Sequence, residues 1–456
     1  MVVGQQFKIK KIMQGKVYIC HHIDTEGPLY ESMEELFKRV KFITGIDLEP
    51  SVENISKLQN RDIVISDELW KELKMIVDPH TIKFLGEWKQ IDTMLDHIMT
   101  PSYRNEIVDS EGNGWLFNWH VMDHVGFTGA NPRRRDLGYL KIFDYYKDKI
   151  TATNSLRDAI HWHFHPISFT KDAHIPATSY ENSMFEIHQI ISRRLIDRNW
   201  FPIVNRAGFH TVRFDSSHFL EQWIPFDPSN QAVKDEFQPK LQRDLTNGRF
   251  GDWRGAPYDW SIYQPDHRDW RKAGSMNRYV ARVLNMNSRH RNITSDELVT
   301  AFEKAKKGED VYLGITNHDW RDMKKEIDDF RLLLANVITN YPDVQFIFSE
   351  SKRAFQEILF SSEEIAREAV KLKAELSEKH LVVYVENGQT FGPQPYLAIK
   401  TKDGQYYHDN FDYLDHSSNN FNYTFDDYTI PLSAVESIGV ATNDQYGNQA
   451  VHIIKL

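Results

Sequence analysis

Short apolar runs alternate along the first part of the chain with stretches in which apolar side chains return every three or four positions. Residues 16–28 (KVYICHHIDTEGP) open the series: Val17, Tyr18, Ile19 and Cys20 suit a buried strand, and Gly27-Pro28 ends it. Further strands are expected at 114–127, 159–165, 200–204, 310–315 and 344–348. Helices are expected at 137–150, 183–199, 298–307, 322–339 and 352–359. The second of these has Met184, Ile187, Ile190, Ile191 and Leu195 on one side. Repeated strand–helix alternation predicts a parallel sheet or barrel with helices outside. Helical patterns at 33–44, 67–77 and 90–99 break the alternation, so the region around 33–110 reads as a helical insertion.

The pattern changes near residue 360. Residues 362–378 (SEEIAREAVKLKAELSE) hold no turn former and read as a charged connecting helix within 361–380. From 381 to 456, alternating segments such as VVYV, YLAIKT and AVHIIKL are broken by Asn-Gly, Asp-Gly and Gly-Asn turns, which predicts a small antiparallel β domain. The expected organisation is an α/β domain over 1–360, a connector, and the β domain.

Composition narrows the classes. The 456 residues are 41% hydrophobic and 26% charged, as in soluble globular proteins, and exceed what one ordinary core accommodates. A net charge of −10 argues against nucleic acid as a partner. No run reaches the roughly 18 apolar residues of a membrane span, and the start of the chain carries no secretory pattern. A cytoplasmic location is the resulting expectation, and the single cysteine, Cys20, fits a reducing compartment.

The candidate chemistry sits where strands end. Asp24 and Glu26 close the first strand, a position where α/β folds build sites, although a turn with solvated carboxylates is the simpler account of that stretch alone. His161, His163 and His165 (HWHFHP) alternate on a strand, so they share a face and any pair can hold a metal. His161 and His165 equally suit a tight turn, and a half-buried strand without metal also accommodates all three. Two histidines and a carboxylate leave coordination positions open, which is the pattern of a catalytic site.

These motifs, in this order, resemble the NodB-type polysaccharide deacetylases, metal-dependent carbohydrate N-deacetylases built on a distorted (β/α) barrel. The resemblance covers about residues 15–360. It matches Asp24-Thr-Glu26-Gly27 to the first motif, His161 to His165-Pro166 to the second, Arg206 in NRAGF to the third, Asp252 in DWRGAPYDW to the fourth, and His318 in GITNHD to the fifth. It implies Glu26, His161 and His165 as ligands of a divalent metal, zinc in particular, with His163 as an additional ligand candidate. It also implies Asp24 as general base, Arg206 as the group that orients it, His318 as general acid, and Asp252 as a further catalytic residue. Glu26 departs from the family, whose ligand there is aspartate, and Arg206 is not followed by the family's proline-rich turn. Taken alone, His318 reads equally as a strand-end histidine bonded to Asp319 or Asp322.

The implied activity is hydrolysis of an N-acetyl or other short acyl group from an amino sugar in a glycan or surface-polysaccharide precursor. The alternatives are a non-sugar amide or cyclic ureide as substrate, or a saccharide-binding protein on a degenerate scaffold. Arg133-Arg134-Arg135 and the arginines of 267–291 extend the expectation to a nucleotide- or lipid-linked sugar, because guanidinium forks suit phosphate, although such runs are usually solvated faces. Trp253, Tyr258, Trp260 and Tyr263 are candidates for stacking on sugar rings, with core packing as the default.

Overall fold

The structure is a computed structural model, and it describes residues 14–29, 32–80, 82–124, 141–166, 179–234, 251–288, 290–414 and 419–456. Among the described residues eight parallel strands form its centre: β1 (Lys16–Thr25), β2 (Asn118–His124), β3 (Ala159–His165), β4 (Asn205–Ala207), β5 (Phe226–Asn230), β6 (Tyr279–Asn285), β7 (Val311–His318) and β8 (Gln345–Phe348). Seven run in the order β4-β3-β2-β1-β7-β6-β5, and a parallel bridge between Val204 and Phe226 brings the two ends together. The result is a nearly closed barrel with helices outside. β1 pairs with β7 from Val17 to Asp24, while its other edge is shared, β8 taking Lys16 to Ile19 and β2 taking His22 to Thr25. That shared edge is the distortion of the barrel.

Strand parity explains why β1 is buried almost throughout. Val17, Ile19 and Ile23 pack outward with Leu298, Phe302, Ile327 and Leu334 of the surrounding helices. Tyr18 and Cys20 pack inward with Phe226, Ala281, Tyr312 and Phe355. A strand covered on both faces reads as a continuous hydrophobic run. The same parity then points His22 and Asp24 into the barrel.

The insertion folds as α1 (Met33–Thr44), α2 (Val52–Gln59), α3 (Asp67–Val77), α4 (Trp88–Ile98) and α5 (Pro101–Arg104). Ser32, Ser51 and Ser66 cap the first three by accepting backbone N–H groups of the first turn, and Leu36, Phe37, Leu58, Trp70 and Leu73 give these helices a core of their own. The barrel helices are α6 (Lys141–Ala152), α7 (Met184–Arg198), α8 (Phe214–Trp223), α9 (Ser295–Lys306), α10 (Met323–Ile338) and α11 (Ser351–Leu359). Among the described residues no helix is long and apolar enough to cross a membrane.

The connector differs from expectation. The helix α12 covers only Ser362–Arg367, and Lys371–Ser377 is a strand, β9, paired with His380–Asn387, β10. Leu372, Ala374 and Leu376 recur at every second position, and period two places them on the β-domain core, a tertiary gain that overrides the helix propensity of the segment. The C-terminal domain therefore begins near 371. Among the described residues it forms two four-stranded antiparallel sheets, one of which packs Tyr396, Ala398 and Ala441 against Leu195 of α7 and Trp223 of α8.

Candidate metal centre

Asp24 lies at the carboxyl end of β1 and is fully enclosed. Arg206 of β4, equally buried, grips it with two parallel bonds, Nε to Oδ1 at 2.7 Å and Nη2 to Oδ2 at 2.9 Å. Burial alone would push this carboxyl up; the Arg206 guanidinium, with His163 and His318 nearby, overrides it and holds Asp24 well below the usual carboxylate range. Arg206 also donates to the Pro228 carbonyl (3.0 Å) and to His210 Nδ1 (3.0 Å), so its planar head is held from several sides.

Glu26 follows two residues later, in the loop where Gly27 takes φ 72°. Asp319 holds this loop: its carboxylate accepts the Glu26 N–H (2.8 Å), the Gly27 N–H (2.9 Å) and the Tyr146 hydroxyl (2.7 Å). Burial pushes Asp319 up to about 7 despite these donors. Glu26 thus faces β3, where His163 and His165 share its side of the barrel. Ligand atoms of Glu26, His163 and His165 all lie within 4.8 Å of one another, and all three residues are buried. This group can hold a metal ion.

The imidazoles are arranged for that task. His163 Nδ1 lies 2.9 Å from the Arg206 carbonyl, which can only accept, so Nδ1 carries the proton and Nε2 presents a lone pair. That Nε2 is 2.9 Å from His165 Nε2, which in turn is 3.6 Å from Glu26 Oε1. Gly208 permits the close approach behind His165. A Cβ there would lie 2.4 Å from the Phe164 carbonyl and 2.8 Å from the His165 ring.

His161 stands apart, contrary to its expected pairing with His165. Its Nε2 meets Asn118 Oδ1 at 3.0 Å and Glu350 Oε1 at 3.3 Å, deeper in the barrel. The physical reason is that β3 stays extended through His165, where four residues span roughly 13 Å, too far for one ion, while two span roughly 6.6 Å. The neighbouring pair His163/His165 therefore meets Glu26, and His161 does not.

His318 ends β7 directly beside Asp24 in the strand register, with Nε2 3.9 Å from Asp24 Oδ2. It is 23% exposed at its side chain, against 1% for Asp24, so it is the member of the group that opens outward. Burial lowers it to about 4, against the pull of Glu26 and Asp24, and it rests neutral at pH 7. Neither Asp319 nor Asp322 bonds its ring: Asp319 faces the Glu26 loop and Asp322 caps α10.

Asp252 does not join this group. Its carboxylate is taken by Arg254 (2.7 Å) and Arg271 (2.8 Å) at the surface of a loop. Three arginines of 267–291 are likewise engaged, Arg278 with Asp227, Arg282 with Glu297 and Arg271 with Asp269, while Arg289 lies outside the described residues. Arg278 and Arg282 are buried on and beside β6, a strand hidden from sequence reading by those charges. Arg133 to Arg135 lie outside the described residues. Trp253, Trp260 and Tyr263 are core residues, and only Tyr258 of that aromatic set is exposed.

Sequence reasoning also missed His210, Asp319 and Tyr146. His210 and Phe209 both adopt positive φ, 53° and 54°, and Trp253 Nε1 donates to the His210 carbonyl (3.0 Å). Asp319 was the legible one, as an acid next to His318 at a strand end.

No family model matches the chain, and no curated protein does. Among solved structures, an endo-β-1,4-mannanase double mutant from Cellulomonas fimi aligns over 96% of this chain and 93% of that one, at 8% identity and a TM-score of 0.20. A likeness that slight bears on neither fold nor function.

Proposed function

We propose that the chain is a metal-dependent hydrolase that removes an N-acetyl or other short acyl group from an amino sugar. The observation that carries this reading is the adjacency of two units at one strand end: the buried ion pair Asp24–Arg206 and the ligand group Glu26/His163/His165. Two imidazoles and one carboxylate suit zinc and leave positions for water and substrate. The order of the motifs along the chain, from Asp24 to His318, supports an N-deacetylase, with His163 taking the place that the family pattern gives to His161. A soluble, cytoplasmic setting belongs to the same proposal.

A bound divalent ion lowers the pKa of water and polarises an amide carbonyl. The residues supply the rest. Asp24, fixed by Arg206, receives a proton from the attacking water as the new C–O bond forms. His318 Nε2, 3.9 Å away and neutral at rest, then takes that proton and passes it to the nitrogen as the C–N bond breaks. The products are a short carboxylic acid and a free amine. The tight turn at Gly208 to His210 adjoins the ligand group through Phe209, whose ring centroid is 4.4 Å from that of His165, and its backbone N–H groups are candidates for holding a developing oxyanion.

The test is turnover of a panel of N-acetylated amino sugars by protein loaded with zinc, cobalt or manganese. Acetate release that stops on chelation and returns with metal is expected. Saccharide binding without turnover under any of these metals would replace this reading by the degenerate binding protein.

A further inference from the structure

The helical insertion is laced to the two strand ends that build the site. Leu29, just past Glu26, donates its N–H to the Leu85 carbonyl (3.0 Å), and Leu85 donates its own N–H to the Trp320 carbonyl (2.8 Å), two residues past His318. The segment 82–86 thus bridges the exits of β1 and β7. Within it, Phe84 rests on Trp320 with ring centroids 5.3 Å apart, and Trp320 rests on His318 at 4.8 Å. Trp320 is buried, whereas Phe84 is only half-buried. The ladder therefore starts at the residue that would serve the leaving nitrogen and ends on a half-buried aromatic ring, part of whose surface meets solvent.

We infer that Phe84 is a specificity-determining residue, stacking on a saccharide ring next to the one that loses its acyl group. This rests on the hydrolase reading above. A pyranose carries apolar C–H groups on its face, and an aromatic ring held in place by a second ring costs little entropy to bind it. Two ring-to-ring steps from His318 place that ring beyond the reacting sugar and beside its neighbour. The insertion then accounts for itself: it supplies substrate recognition to a barrel whose catalytic groups come from the strands. The backbone ladder Leu29–Leu85–Trp320 fixes the position of Phe84 even when its side chain is changed.

The experiment takes the full metal-loaded chain and the best substrate of the panel, as a single ring and as its β-linked trimer. For Phe84→Ala the KM of the trimer should rise about fivefold to tenfold, with kcat within about twofold and the single ring unaffected. Phe84→Leu, which keeps apolar packing against Trp320 but removes the ring, should give most of the same rise, and Phe84→Tyr should restore the wild-type KM. Thermal unfolding of the variants serves as the folding control. Unchanged trimer KM in folded Phe84→Ala and Phe84→Leu, or an equal rise for single ring and trimer, overturns the inference while leaving the hydrolase reading intact. Wild-type protein that turns over nothing in the panel overturns both.

Discussion

His22, His120 and His161 occupy the middle of the barrel, while His163, His165 and His318 occupy its rim, and the two groups differ in what their ring nitrogens face. In the middle, His22 Nδ1 meets His120 Nε2 at 2.8 Å, His22 Nε2 meets the Tyr312 hydroxyl at 2.9 Å, and His161 is held by Asn118 and Glu350. These rings satisfy one another and replace the apolar layers that usually fill a small barrel. At the rim the rings face Asp24 and Glu26 across a few ångströms, with a backbone carbonyl fixing one tautomer. The same residue type is thus a core filler at one depth and a candidate ligand two positions later. Partners distinguish them; exposure, 4% for His161 against 1% for His163 and His165, and spacing along the chain do not.

The largest effect that separates the two layers is on chemistry. His163→Ala and Asp24→Asn should each lower acyl release by about a thousandfold or more, the first with loss of bound metal and the second with metal retained. His161→Gln should keep metal and stay within about threefold of wild-type turnover. Steady-state kinetics beside metal analysis checks all three. A collapse of metal binding in His161→Gln would erase the distinction between the layers.

Acid should act next most strongly, and on stability. Burial lowers His21 to about 3 and drives His22, His120 and His210 well below the ordinary histidine range. Below about pH 6.5 the unfolded chain binds protons that the folded chain refuses. Stability is therefore fully present above that pH and falls as pH drops towards the folded values, by up to ~1.4 kcal/mol per histidine per pH unit. Denaturant titrations between pH 7 and 4 should show a steep loss beginning near 6.5. A flat profile would mean that these four histidines are charged or solvated.

The strand alternation was legible in sequence because β1, β7 and β8 carry apolar runs and β3 alternates buried Trp162 and Phe164 with its histidines, and so were α1, α3 and α4 of the insertion, though not α2 and α5. β5 and β6 were not. β5 (FDPSN) carries a proline and polar residues whose partners lie elsewhere in the fold, and β6 hides Arg278 and Arg282, whose charges are neutralised by Asp227 and Glu297 from distant segments. Asp24, Glu26, Arg206 and His318 could be read from their positions at strand ends. The choice among His161, His163 and His165 could not, because it depends on how long β3 stays extended. His210 acts through contacts that sequence spacing does not encode, whereas Asp319 stood in view next to His318 at a strand end.

Two smaller effects sharpen the comparison. His161→Gln should lower stability by about 1–3 kcal/mol through the buried bonds it disturbs, with catalysis largely spared. Asp252→Asn should change turnover by less than about twofold and stability by less than about 1 kcal/mol, since its partly exposed ion pairs with Arg254 and Arg271 are screened by solvent. Thermal unfolding and initial rates measure both. A large catalytic loss in Asp252→Asn would bring that loop into the site.

The most direct measurement is metal stoichiometry by mass spectrometry in the wild-type chain, His163→Ala and His161→Gln, each after zinc loading and extensive dialysis. The arrangement of Glu26, His163 and His165 predicts about one ion per wild-type and His161→Gln chain and almost none in His163→Ala. Retention in His163→Ala with loss in His161→Gln would contradict it and return the ligand role to His161.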